Sequence, residues 1–184
     1  MAPKFVTPYR MSGKRGKNDA ADAAAICEAV TRPHMRFVPI KEEHQQNILC
    51  IHRTRQGFIE ERTATYNRLR GLIAEFGIVL PQKVERLRSD IHSHLESMPG
   101  WLNRCVTDLL AHADHLDTLI EEYDRAIKTI AREDDRSKRL MQLPGIGPTT
   151  ASALLASLGV GHDFDNGRQV AAWMGLTPGQ YSSG

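Results

Sequence analysis

The chain of 184 residues contains only three cysteines, Cys27, Cys50 and Cys105. They are odd in number, widely spaced and never form a Cys-x-x-Cys pair. This excludes a disulfide framework and a thiolate zinc site, and points to a reducing compartment. No apolar signal region opens the sequence, and no stretch is long and apolar enough to span a bilayer. The expected location is therefore the cytoplasm, with no membrane partner. No sign of charge dominates: 24 Lys plus Arg stand against 22 Asp plus Glu, a balance of +2. Internal repeats and low-complexity tracts are absent, and the first 18 residues contain neither Asp nor Glu. The length suffices for one core or two small ones.

The charge that is present is unevenly placed. Residues 1–17 hold Lys4, Arg10, Lys14, Arg15 and Lys17, and residues 52–70 hold His52, Arg53, Arg55, Arg62, Arg68 and Arg70 against Glu60 and Glu61. Such patches attract phosphate backbones through counterion release. The alternative is a solvated helical face and a loose basic arm.

The pattern predicts a mainly α chain. Residues 1–17, with Pro3, Pro8, Gly13 and Gly16, read as extended or loop. A helix is expected over Asp19 to Val30, then a short β-like connector over Met35 to Ile40. A long helix is expected over Glu42 to Phe76, ended by Gly77, with Tyr66, Leu69, Ile73 and Phe76 on one apolar stripe. Residues 77–100 read as a looser connector with a short helix. From Val106 onward, Leu109, Ala113, Leu116, Ile120, Tyr123, Ile127 and Ile130 alternate steps of three and four, the seam of a coiled coil. Its partner is either the 42–76 helix, as an antiparallel hairpin, or the same helix of a second subunit. A last short helix is expected over Gly167 to Met174.

The most informative stretch is residues 140–159, around Leu-Pro-Gly-Ile-Gly at 143–147. A helix ending at Leu143, a Pro-Gly-Ile-Gly turn and a second helix from Pro148 are expected. Gly145 and Gly147 can take positive φ and, lacking a Cβ, let a ligand approach the backbone. Pro148 suits the first turn of a helix. The free N–H groups of the turn and the second helix then form an anion site matched to a phosphate. This looks like a helix-hairpin-helix element, which grips nucleic-acid backbone without reading sequence; the alternative is a plain αα-corner. The contacts expected from it are Gly145, Ile146, Gly147 and Thr149, with Lys14, Arg15 and Lys17 of the basic arm.

Asp19 and Asp22 stand three residues apart on one face of a helix start. They can share a hard divalent cation such as Mg²⁺, or serve only as an N-cap and a first-turn acid. Tyr181, Ser182 and Ser183 place hydroxyls beside Gly184, where a serine becomes a nucleophile if a base or metal activates it, or is simply part of a turn. His92 with His94, and His112 with His115, lack the companions of a metal site and read as solvated helix residues.

Taken in order, Lys-Asn-Asp-Ala-Ala-Asp-Ala (17–23), a coiled coil, Leu-Pro-Gly-Ile-Gly (143–147) and Gly-Leu-Thr-Pro-x-x-Tyr-Ser-Ser-Gly (175–184) resemble one family. It is that of the DEDD transposases of the insertion-sequence "one-ten" family, relatives of the Piv DNA invertases. Arg32-Pro-His-Met-Arg-Phe-Val-Pro-Ile-Lys41 and the segments from Arg62-Thr-Ala to Glu75-Phe-Gly-Ile78 resemble its "eleven-eleven" sub-branch.

The resemblance implies three segments. Residues 1–40 would be the end of a RuvC-like domain, 41–134 a coiled-coil region, and 135–184 a helix-hairpin-helix domain. It also implies a DNA recombinase in which Asp19 and Asp22 match the third and fourth acids and hold Mg²⁺. Ser183 rather than Ser182 would be the nucleophile that links covalently to DNA. Homo-oligomers and a guide, or "bridge", RNA are implied as partners beside DNA. The first Asp and the Glu of the family pattern, and the segment past the serine, have no counterpart in these 184 residues. The expectation is thus an incomplete copy whose Mg²⁺ site binds weakly or not at all, the alternative being a non-catalytic nucleic-acid-binding or dimerisation module.

Overall fold

A computed structural model describes residues 3–10, 18–33, 35, 37, 40–162 and 164–176. In chain order it contains α1 (Pro3–Val6), a 3-10 turn (Thr7–Tyr9), α2 (Asp19–Val30), α3 (Glu43–Ala74) and α4 (Val84–His94). A second 3-10 turn (Leu95–Ser97), α5 (Gly100–Glu133), α6 (Asp135–Leu140), α7 (Pro148–Leu158) and α8 (Gly167–Trp173) follow. No strand occurs among the described residues, so the chain is mainly α as its periodicity predicts. None of these helices is long and apolar enough to cross a membrane. Two compact units result: Glu42–Gly161, and Met1–Lys41 together with His162–Gly184.

In the larger unit, α3 and α5 run for 32 and 34 residues. Arg55 pairs with Asp124 and Arg62 with Asp117, and Phe58 meets Tyr123 edge to face. Ascending positions on α3 meet descending ones on α5, so the pair is antiparallel and lies within one chain. Val106, Ala113, Leu116, Ile120 and Ile127 of the expected seam are buried, and Leu109, Tyr123 and Ile130 are half-buried. The seam's partner is therefore α3, not the same helix of another subunit.

At one end of the pair, Tyr66, Leu69 and Ile73 of α3 pack with Leu102, Val106 and Ala113 of α5. The short helix expected within residues 77–100 is present as α4, while the expectation that this connector is loose is corrected. Leu87 and Ile91 of α4 are fully buried in this core, joined by Leu80 and Met98. The short α4 is amphipathic over only three turns, too few for the pattern to stand out. Its packing is what makes it a structural element, each such side chain contributing about 1.5–3 kcal/mol by burial. Phe76 lies beyond the helix end, so the stripe stops at Ile73 and Phe76 is 54% exposed.

Half of the basic cluster at 52–70 is engaged within the fold. Arg55 and Arg62 bind aspartates of α5, and Arg70 donates to the carbonyls of Pro81 and Gln82 and to Asn67 Oδ1. Three of its cations are thus used to hold helices and a loop together.

In the smaller unit, Asn18 Oδ1 accepts the Ala21 N–H at 2.7 Å and caps α2. The capping alternative places this role on Asp19; it belongs to Asn18, one residue earlier, whose extended backbone suits an N-cap. Pro3–Tyr9 forms short helical turns, not an extended segment. Here Arg32 stacks over the Tyr9 ring at 5.4 Å.

Candidate nucleic-acid interface

Asp134 breaks the chain between α5 and α6. Its extended backbone ends one helix, while its carboxylate accepts the N–H groups of Arg136 and Ser137 and starts the next. Hydrogen bonding from the Arg136 side chain holds the Asp134 carboxyl below the usual aspartate range. The helix before the turn ends at Leu140, three residues earlier than the pattern predicts, and Met141–Leu143 continue as turns.

The Ile146 N–H then bonds the Leu143 carbonyl at 3.1 Å, enclosing Pro144 and Gly145. Proline followed by glycine at φ +84° is the signature of a type II turn. Gly147 is different from expectation: its φ is −91° and ψ 177°, ordinary extended backbone, and it serves as the N-cap of α7. Only Gly145 of the two needs positive φ. A Cβ at either position would meet nothing within 4 Å, so the backbone of both faces open space. Pro148 begins α7, and no side chain caps it. Among the described residues, nothing in the chain accepts the N–H groups of Gly147, Thr149 and Thr150. Ile146 is half-buried beneath the turn, and Thr149 is exposed at its rim. Arg139, also exposed, makes no ion pair among the described residues, whereas Arg136 and Lys138 pair with Asp134 and Asp135.

The hairpin is seated on α3 by contacts that the sequence pattern does not display. His52 Nε2 lies 2.9 Å from Ser152 Oγ, which donates onward to the Pro148 carbonyl at 2.9 Å. Ser152 is only 2% exposed. Burial, and secondarily the charge of Arg55, holds His52 below the usual histidine range. Both effects favour the neutral ring. Gln45 makes a second contact, Nε2 to the Ala156 carbonyl at 3.3 Å, while its Oε1 accepts the Glu42 N–H at the start of α3. A lone His in a basic stretch and a Ser inside an Ala-rich helix give no signal of this pairing.

Asp19 and Asp22 both fall in the first turn of α2. Asp22 is held by Arg10, with Nε to Oδ1 at 2.7 Å and Nη2 to Oδ2 at 3.0 Å. No group of three or more His, Cys, Asp or Glu that could hold a metal occurs among the described residues. Mg²⁺ demands near-octahedral oxygen ligation. Two carboxylates, one of them bound to a guanidinium, are of the right chemistry but not a sufficient set, so the residues described do not fit a bound Mg²⁺. Ser183, with Tyr181 and Ser182, and Lys14, Arg15 and Lys17 lie outside the described residues.

A transposase family model of the DEDD, IS110 type matches residues 2–78, and the model described as "Transposase IS116/IS110/IS902 family" matches residues 137–184. The second match begins inside α6 and takes in the whole turn and α7. The chain is 39% identical over 189 residues to a "Probable family 20 transposase" of Pseudomonas aeruginosa, covering 100% of this chain and 55% of the relative. It is 38% identical over 187 residues to the "Transposase for insertion sequence element IS1328" of Yersinia enterocolitica, covering 100% and 54%. With the "Transposase for insertion sequence element IS1111A" of Coxiella burnetii it shares 35% over 192 residues, covering 100% and 51%. The chain spans about half the length of these curated relatives. On these matches, which run through both ends of the sequence and the Pro-Gly turn, the chain belongs to the IS116/IS110/IS902 family of transposases.

Proposed function

We propose that the chain binds DNA through the α6–α7 hairpin and serves DNA transposition by cleavage and strand exchange. The observation that carries the binding step is the turn itself. Gly145 and Gly147 face open space, and the N–H groups of Gly147, Thr149 and Thr150 have no acceptor in the described chain. Such groups at a helix N-terminus suit a phosphate oxygen. Exposed Arg139 of α6 adds non-specific attraction, and Lys14, Arg15 and Lys17 are proposed as further backbone contacts in their own right. In this reading residues 135–184 act as a helix-hairpin-helix domain, 41–134 as a coiled-coil region that also mediates homo-oligomerisation, and 1–40 as the end of a RuvC-like domain.

On the family pattern, Asp19 and Asp22 would supply two of the ligands of a Mg²⁺ site that needs further acids, and Ser183 would be the attacking residue. Its Oγ bonds to a DNA phosphorus as the deoxyribose oxygen leaves as a hydroxyl, so the phosphodiester is retained as a protein–DNA link. A guide RNA is a further proposed partner.

Gly147→Val is the sharpest test of the binding step. Its φ admits a side chain without strain, and a melt of the variant separates the cost of valine at the helix N-cap from the walled-off approach. Duplex affinity, read by fluorescence anisotropy, should fall; an unchanged affinity returns the hairpin to a structural corner. Ser183→Ala should abolish strand exchange while leaving duplex binding intact.

A second reading, a non-catalytic nucleic-acid-binding or dimerisation module, is favoured by the Asp22–Arg10 pair and by the want of a third metal ligand among the described residues. Efficient strand exchange by these 184 residues with Mg²⁺ would dismiss it.

A further inference from the structure

The seat of α7 is unusual for a buried helix. Its fully buried side chains are the small Ala151, Ser152 and Ala156, with Leu154, Leu155 and Leu158 half-buried. Beside it lies a half-open pocket of about 300 Å³ lined by Gln45, Ile48, Ile130, Ser137, Ser152 and Leu155, among others. The small side chains on the fully buried face interlock little, so directional polar contacts add to the packing that fixes α7.

Among the described residues two such contacts come from α3. His52 meets Ser152 at 2.9 Å and Gln45 meets the Ala156 carbonyl at 3.3 Å. Ascending α3 positions meet descending α7 positions, so the two ties hold α7 at separate points along its length. Each is directional. Ser152 Oγ is in turn bonded to the carbonyl of Pro148, the first residue of the helix, so the His52 tie acts on the turn that presents the free N–H groups. At the far end, Gly159 closes α7 at φ +64°, and a Cβ there would stand 3.0 Å from Gln45 Nε2. Only glycine admits both the backbone and the close approach of Gln45.

We propose that His52 and Gln45 are positioning residues for the nucleic-acid contact: they fix the direction of α7 and so aim the N–H groups of Gly147, Thr149 and Thr150. The inference rests on the hairpin being the site of backbone contact. It makes the long helical pair, not the hairpin's own sequence, the part that sets how the phosphate is met. A hydrogen bond that aims a helix is worth little to overall stability, and much to a contact that requires several donors to converge.

The test uses the full 184-residue chain and a fluorescein-labelled duplex at fixed salt, with helix melting followed by circular dichroism. His52→Ala should weaken binding by about fivefold, the worth of one hydrogen bond, while His52→Gln, which keeps a donor near the Nε2 position, should stay within about twofold of wild type. Ser152→Ala cuts the same tie from the other side without a large cavity, and stands in if His52→Ala fails to fold. The double variant should bind no worse than either single one, because both remove one interaction. The proposal is overturned if Gly147→Val weakens binding but His52→Ala and Ser152→Ala do not, or if His52→Gln is as weak as His52→Ala. If Gly147→Val binds like wild type, the hairpin reading fails first, and the aiming role falls with it.

Discussion

Arg55 of α3 grips Asp124 of α5 with two parallel bonds, Nε to Oδ1 at 2.7 Å and Nη2 to Oδ2 at 3.2 Å. Both side chains are less than a third exposed, so this pair is better shielded than the ion pairs on the outer faces. Further along the helical pair Arg62 repeats the contact with Asp117, which also receives Arg88 of α4. The forked guanidinium matches a carboxylate in a way that an ammonium does not. Arg55→Lys should therefore lower the unfolding free energy by about 1 kcal/mol, the upper end for such pairs. Urea titration checks it; an unchanged midpoint would mean the pairing is incidental to the register of α3 on α5.

A second prediction concerns α4, whose sequence gives little hint of its importance. Ile91 is fully buried against the end of the helical pair. Ile91→Ala should cost about 2–5 kcal/mol through lost transfer energy and the cavity left behind. Polar replacement of Leu116 or Ile120 in the seam should cost a similar amount, about 2–5 kcal/mol. If Ile91→Ala melts like wild type, α4 is an appendage and the helical pair folds without it.

The two long helices, the start of α7 at Pro148 and the α2 boundary at Asp19 are legible in the sequence because periodicity and punctuation both act locally. The chain repeats every three to four residues over tens of positions, and Pro148 and Gly77 mark helix ends through backbone chemistry alone. What is not legible depends on contacts distant in sequence. Arg55 and Arg62 read as free cations until Asp124 and Asp117 are brought to them from 69 and 55 residues away. His52 and Ser152 are 100 residues apart, and nothing near either one announces the other. The pattern gives Gly147 a positive-φ role beside Gly145, but one type II turn needs a single such residue, and the helix cap needs an extended one.

Two glycines of the larger unit should respond to alanine with opposite signs. Gly57 lies within α3, and a methyl group added there would meet nothing within 4 Å, so Gly57→Ala should stabilise by about 0.5–1 kcal/mol through helix propensity. Gly159 has φ +64° and ψ −130°, with Gln45 against it. Gly159→Ala should destabilise by about 1–3 kcal/mol, the scale of a residue held in a glycine-only region. Thermal melts of the two single variants separate the cases. Equal shifts of the same sign would place the end of α7 elsewhere than beside Gln45.

Acid should loosen the hairpin in two stages, and the signs follow from the direction of each shift. His52 is a base held below its ordinary range by burial and then by Arg55. The unfolded chain therefore takes up its proton first, and its contribution is full above the ordinary histidine pKa and lost as pH falls below it. Asp134 is an acid held below its ordinary range, chiefly by the Arg136 side chain. Its contribution is full above the ordinary aspartate pKa and lost as pH falls through the lower folded value. Stability should thus decline below about pH 6.5 and again below about pH 4, the ordinary values for these groups. His52→Gln should flatten the first decline only, and Asp134→Asn the second only. Urea titrations at a series of pH values read both. A first decline that survives His52→Gln would show that another histidine governs it, and that the His52–Ser152 contact is not held by a neutral ring.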